Sequence, residues 1–230
     1  MKIFSCYTPS HEILFEDYFS KTLPASFENH PYILDIAGRG DFKSAGFLNA
    51  ISEKIRLIVE SLESNAGSTI IWSDVDIVFC DNIVLRLDQV LSEKPDVDVF
   101  FQKEFAGNQA DVNTGFIVMR CHEGVRDFFG RLLANEQLGT RKNEQEIVNE
   151  MLGQETGISW DFLPRAFYAR SQGWPPPDDI VLYHANVTAG ANGVQQKIKQ
   201  FKRLESLCKP TSLHRFARKI SRRLGIGHRS

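Results

Sequence analysis

Asp74-Val75-Asp76 closes the apolar run Ser68-Thr69-Ile70-Ile71-Trp72-Ser73. Two carboxylates with no cation partner near them in sequence can hold a hard divalent ion through oxygen ligands. The β-branched and aromatic residues before them read as a buried strand. The pair therefore falls where a strand stops, and in an open α/β sheet ligands sit outside the carboxyl ends of the strands. The chain supplies its own control. Asp96-Val97-Asp98 repeats the tripeptide but precedes its apolar run, Val99-Phe100-Phe101, so it lacks that placement.

Other residues with chemical capacity also sit at element ends. His184 ends the run Ile180-Val181-Leu182-Tyr183. A histidine there is commonly structural; beside an aspartate pair it is a candidate third ligand. Imidazole plus carboxylates, with positions open to a phosphate, suits Mn²⁺ somewhat better than Mg²⁺. Asn113-Thr114-Gly115-Phe116 opens a strand, and either forms a plain turn or offers the neutral donors and acceptors that hydroxyl recognition needs. Asn143-Glu144-Gln145-Glu146 starts a helix. Acidity there complements the helix dipole; the functional reading brings Glu144 or Gln145 near a reacting carbon. The loop 38–46 sets Arg39 and Lys43 among glycines before a helix, an arrangement that can bind phosphate. It is neither G-x-x-x-x-G-K-[ST] nor G-x-G-x-x-G, and no G-x-S-x-G nucleophile elbow occurs.

The elements that must position these residues alternate between strand and helix. That alternation predicts an α/β fold with a mostly parallel sheet. Strands are predicted at 2–7, 31–36, 68–73, 97–103, 115–119 and 180–183. Phe47, Ile51, Ile55, Ile58 and Leu62 recur at helical spacing and predict a helix over 47–63. Further helices are predicted at 83–93, from Val125 to Leu133, at 143–152 and at 191–206. Residues 153–179, with Trp160, Trp174 and Pro175-Pro176-Pro177, break the pattern and read as a loop-rich excursion or lid.

The 230 residues fit one domain, predicted over 1–208, with a core rich in its seventeen phenylalanines. No apolar run approaches the roughly 18 residues of a membrane span, and no secretory leader is evident, which points to a cytoplasmic location. Cys6, Cys80, Cys121 and Cys208 show no zinc or C-x-x-C spacing and read as reduced thiols. The net charge of -2 hides an asymmetry: residues 1–196 carry about -12 and residues 197–230 about +10. In the tail, 209–230, Leu213, Phe216, Ile220 and Leu224 form one helical stripe flanked by Arg215, Arg218, Lys219, Arg222 and Arg223. Such a cationic amphipathic helix can lie on an anionic membrane surface. Nucleic acid is not the expected partner, because only Phe216 is available there for stacking.

Taken in order, the Asp-Val-Asp after Ile-Ile-Trp-Ser, the Asn-Thr-Gly-Phe-Ile-Val, the Glu-Gln on a helix, and His184-Ala185-Asn186 with Gly190 and Lys197 resemble the GT-A-type glycosyltransferases. The similar group is the nucleotide-diphospho-sugar transferases, and the resemblance covers roughly residues 2–203. It implies a GT-A, Rossmann-like sheet. It implies Mn²⁺ (or Mg²⁺) held by Asp74, Asp76 and His184 against the diphosphate of a nucleotide-sugar donor, most simply UDP-linked. It implies the nucleobase at Tyr7 or Thr8, a donor contact from Lys197, and Asn113 with Gln145 at the donor sugar; Lys43 of the glycine loop and Glu144 of the helix start join them as candidates from the residues themselves. The acceptor would be a glycan or a lipid-linked sugar, and the anomeric configuration would be retained. Glu144-Gln145 stands where related families often have Asp-Gln, and His184 is followed by Ala-Asn-Val-Thr-Ala-Gly rather than G-x-K-P-W. Two other readings stay open on the residues alone. Asp74-Val75-Asp76-Ile77-Val78 fits the D-x-D-x-[TV] of haloacid-dehalogenase-like Mg²⁺-dependent phosphatases, and the basic tail fits a non-catalytic nucleic-acid or membrane-binding module.

Overall fold

The computed structural model describes residues 1–36, 45–80, 82–105, 111–154, 157–188 and 192–208. Strand β1 (Lys2–Tyr7) is followed by a helical run from Pro9–His11 to Ser20–Thr22, with a π-type segment at Phe15–Phe19, and then by β2 (Glu28–Ile33). Helix α1 (Ala45–Ser64) leads to β3 (Thr69–Ser73) and β4 (Ile77–Phe79). Then come α2 (Ile83–Glu93), β5 (Val99–Lys103), β6 (Val112–Arg120), α3 (Glu123–Leu133) and α4 (Glu144–Leu152). Three short strands, β7 (Trp160–Phe162), β8 (Phe167–Ala169) and β9 (Leu182–His184), precede α5 (Gly193–Cys208).

The main sheet has six strands in the order β2-β1-β3-β6-β5-β7. Pairings β1–β2, β1–β3 and β5–β7 are parallel; β6 alone runs against its neighbours β3 and β5. A second sheet, β4-β9-β8, carries the chain beyond β3. This is the mixed, mostly parallel, helix-flanked architecture expected from the sequence. Alternation along the strands splits the core. Phe4, Ile70, Trp72, Phe101, Ile117 and Met119 face one side, packed with Ile55 and Ile58 of α1, Phe128 and Phe129 of α3, and Ile147 of α4. Ile3, Ile71, Phe100 and Val118 face the other, packed with Phe15 and Phe19, the small sheet, and Ile198 and Phe201 of α5.

Three differences from the sequence reading have local causes. Strand β2 lies three residues before the predicted 31–36; it is an edge strand with Pro31 inside it, where apolar alternation is weak. Helical residues 9–22 carried no clean period because a π-segment interrupts them. The region 153–179 is not only loop: it contributes β7 to the main sheet and β8 to the small one. The loop with Arg39 and Lys43, Gly190, and the tail 209–230 lie outside the described residues.

Candidate active site

Asp74-Val75-Asp76 is the crossing point between the two sheets. The Asp74 N–H donates to the Gly115 carbonyl at 2.7 Å, tying it to β6, and the Ala185 N–H donates to the Asp76 carbonyl at 2.9 Å, tying it to the end of β9. Val75 is buried in the core between them. With Val75 facing inward, the flanking carboxylates are held out together at the carboxyl end of β3. Pairing of β4 with β9 sets Ile77 opposite His184. That brings the imidazole to the same place, with Nε2 3.3 Å from Asp76 Oδ1. Ligand atoms of Asp74, Asp76 and His184 all lie within 4.8 Å of one another.

Two lysines, remote in sequence, supply the cations that the local sequence lacks. Lys54 Nζ of α1 lies 2.8 Å from Asp74 Oδ1, and Lys197 Nζ of α5 lies 2.7 Å from Asp76 Oδ2. Each lysine occupies one oxygen of its carboxylate and leaves the other for an ion. Two carboxylates and an imidazole are a donor set suited to Mn²⁺. Burial alone would raise the Asp76 carboxyl, but Lys197 and His184 outweigh it and hold that group well below the usual carboxylate range. Asp74 goes the other way: burial and the neighbouring Asp76 push it up against the opposing pull of Lys54.

Lys54 is itself buried and spans two anions, Asp74 and Glu144, with Glu144 Oε1 at 2.9 Å, and it also donates to the Thr114 carbonyl at 3.2 Å. Glu144 also accepts from Thr114 Oγ1 at 3.2 Å. It therefore sits in the wall of the site as a paired, buried carboxylate. Burial would raise its pKa, yet Lys54 brings it below the ordinary glutamate value. The other acid of that segment has a separate job: Glu146 and Asn143 close a reciprocal cap on α4, at 2.8 and 2.9 Å. Gln145 is half-buried, and its Oε1 accepts from the Thr114 N–H at 3.4 Å. Asn113 turns its Oδ1 to the Gly115 N–H at 2.9 Å and its amide nitrogen to Glu104. Glu104 also accepts from the Asn186 amide, at 3.2 Å.

Gly115 has a specific reason to be glycine. A Cβ there would stand 2.1 Å from His184 Cε1, so the imidazole lies directly against the β6 backbone. Gly115→Ala must push the ring away, an overpacking that typically costs about 1–3 kcal/mol. Chemical denaturation of the variant checks this; wild-type stability would show that the ring does not rest there.

Tyr7 and Thr8 follow at the end of β1, parallel to β3 and beside it, and so on the same edge of the sheet. Phe15 stacks on one face of Tyr7, with ring centroids 4.5 Å apart, and the Thr8 hydroxyl lies 2.9 Å from Ser10 Oγ. Cys6 is close to Lys54 and Asp74, but burial pushes its thiol up to about 12, so it is no nucleophile at neutral pH. The second Asp-Val-Asp is a brace: Asp98 accepts from the Ser159 N–H at 2.7 Å and contacts His122 at 2.7 Å. Sequence reasoning missed Lys54, Gln102 and Glu104. For Lys54 a signal existed, a charge on a helix face otherwise filled by Ile51, Ile55 and Ile58.

The profile of the nucleotide-diphospho-sugar transferase family matches residues 16–201. The chain belongs to this family. Among solved structures it is similar to a glycosyltransferase involved in the glycosylation of the major capsid of PBCV-1, at 14% identity and a TM-score of 0.55, covering 87% of this chain and 98% of that one. It is similar to GlyE of Streptococcus pneumoniae TIGR4 at 10% identity and 0.55, covering 88% of this chain but 63% of that one. It is also similar to the galactosyltransferase LgtC in complex with donor and acceptor sugar analogs, at 10% identity and 0.52, covering 92% and 97%. At these identities the likeness shows the fold, which is of the GT-A type. No curated protein matches the chain at a significant level. As a nucleotide-diphospho-sugar transferase, the protein is a glycosyltransferase that takes its sugar from a nucleotide-sugar donor, which sets aside the phosphatase and binding-module readings. Among the described residues no helix is long and apolar enough to cross a membrane.

Proposed function

We propose that this glycosyltransferase is metal-dependent, uses a UDP-linked donor and retains the anomeric configuration. The observation that carries the reading is the convergence of Asp74, Asp76 and His184 at one strand end, beside Lys197. When bound there, a divalent cation supplies Lewis-acid stabilisation to the departing diphosphate. Lys197, 17% exposed in its side chain, is placed to add its charge to the same phosphates. Tyr7 and Thr8 take the nucleobase from the neighbouring strand end. Gln145 offers a neutral amide to the donor sugar, and Asn113, whose amide bonds Gly115 and Glu104, meets it by exchanging one of those bonds, while Glu144 holds Lys54 in the wall behind them. Positioned dipoles of this kind stabilise charge that develops at the reacting carbon. Lys43 remains a proposed phosphate contact on sequence grounds.

Retention is supported by the state of the carboxylates. An inverting enzyme needs a base to take the acceptor proton. Asp74 and Asp76 hold lysines, Glu144 holds Lys54, and Glu104 holds two amides, so each of these four already has a partner. Proton NMR of the first-formed glycoside should show the donor's own anomeric configuration; the opposite anomer refutes retention.

The decisive experiment incubates the full chain with Mn²⁺ or Mg²⁺ and a panel of nucleotide sugars, then measures free nucleoside diphosphate. Metal-dependent release from a UDP-sugar is expected. Release that is unaffected by chelation overturns the metal assignment.

The catalytic domain is proposed to span 1–208 in the cytoplasm. Residues 209–230 would then bind an anionic membrane surface and bring the site to glycan or lipid-linked acceptors. Each basic residue near such a surface is worth about 1 kcal/mol before screening. Deleting 209–230 should abolish salt-sensitive sedimentation with anionic vesicles and leave hydrolysis of soluble donor unchanged. Failure of the full chain to sediment at low salt sinks the membrane role.

A further inference from the structure

Gln102 is fully buried in β5, next to a break in the sheet. Phe101 pairs with Ile117, but the next pair is Gln102 with Asn113, so Thr114, Gly115 and Phe116 of β6 have no β5 partner. Such bulges re-aim side chains and are frequent beside active sites. Here the bulge presents Gln102 to His184, with Oε1 3.0 Å from Nδ1. The other end of the amide fixes which atom that must be. Gln102 Nε2 donates to the Phe167 carbonyl at 3.3 Å, and a carbonyl can only accept. The amide oxygen therefore faces the imidazole, and because it too only accepts, Nδ1 must carry the hydrogen. In the neutral ring the lone pair would sit on Nε2, free for a cation; it is the same atom that donates to Asp76 Oδ1 when the ring is protonated.

We propose that Gln102 is a positioning residue for His184: clamped by the Phe167 carbonyl, it fixes the Nδ1–H form of the imidazole and presents Nε2 to a cation shared with Asp74 and Asp76. The proposal rests on the metal reading above. It explains why a glutamine is buried directly after Val99-Phe100-Phe101. Gly115 blocks one face of the ring, so orientation is set by the β6 backbone and protonation by Gln102. Losing an outer partner of a ligating histidine typically costs about 10–100-fold in metal affinity.

The test uses the full chain and Mn²⁺ itself, titrated calorimetrically into wild type, Gln102→Met, Gln102→Glu and His184→Ala. Methionine keeps the length of glutamine but loses the acceptor, whereas glutamate keeps an acceptor toward Nδ1 and loses only the donor to the Phe167 carbonyl, so the pair separates the two contacts. Gln102→Met should bind Mn²⁺ about 10–100-fold more weakly, and Gln102→Glu should not. A second readout is the ¹⁵N imidazole spectrum with diamagnetic Cd²⁺ in place of Mn²⁺: wild type and Gln102→Glu should show Nδ1 protonated and Nε2 metal-bound. Wild-type affinity in Gln102→Met alongside weak binding in His184→Ala overturns the role of Gln102 but leaves the metal site standing. Metal on Nδ1 overturns it equally. If His184→Ala binds Mn²⁺ as wild type does, the metal reading itself fails and takes this proposal with it.

Discussion

Asp76→Asn is expected to lower kcat/KM for the nucleotide-sugar donor by about 10²–10³-fold, the usual effect of losing one preorganised charge-stabilising group. The substitution keeps shape and removes only charge. In the wild type Asp76 is held ionised by Lys197 and His184 despite burial, so its negative charge is present throughout the assay range. Its loss removes one carboxylate from the three-residue cluster, and Mn²⁺-dependent binding of UDP should fall with activity. The fold should survive, because the Asp76 backbone bond to Ala185 is untouched and the partly exposed Lys197 can turn its ammonium to water. Calorimetry with UDP and Mn²⁺, beside a thermal melt, checks both halves. Unchanged affinity in a folded variant sinks the assignment of Asp76.

What the sequence showed and what it hid divide along one line. Signals that repeat within a short window were readable. The helix over 47–63 and the one from Val125 follow from apolar spacing, and the end of β3 follows from six residues of one character. The second Asp-Val-Asp could be separated from the first by its place before a strand, and it proves to be a brace between β5 and Ser159. Signals that depend on the sheet order were not readable. Lys54 reaches Asp74 from the preceding helix, and Lys197 reaches Asp76 from the last one, across β4, β9 and all that lies between. The run Asn113-Thr114-Gly115 fitted a turn as well as a hydroxyl-binding segment, because a polar bulge inside a strand has no period. Its glycine became intelligible only with His184 against it. Gln102 showed no pattern at all: one polar residue at the end of Val-Phe-Phe is normal for a strand terminus, and only the β5–β6 register makes it buried.

Lys54→Met is expected to destabilise the metal-free protein by about 3–5 kcal/mol at neutral pH, the range found when one partner of a buried ion pair is removed. Methionine fills the channel but leaves Glu144, 8% exposed, facing Asp74 with no cation between them. The effect should depend on pH in a defined direction. Burial raises the Glu144 pKa and Lys54 more than reverses this, so its folded value lies below the ordinary glutamate value of 4.5. Stability from that contact is therefore present above about 4.5 and is lost as pH falls through the lower, folded value. Removing Lys54 reverses that dependence, because burial then dominates and Glu144 is protonated more easily. The gap between wild type and variant should be widest near pH 7 and should narrow as pH falls through the raised carboxylate pKa values of the variant. Asp74 strengthens the trend: its pKa is already raised by burial, and without Lys54 it rises further. Urea denaturation of both proteins across pH 3.5–8 measures the gap directly. A constant gap would mean that Lys54 stabilises through contacts that do not titrate, such as its bond to the Thr114 carbonyl, and not through the two carboxylates it bridges.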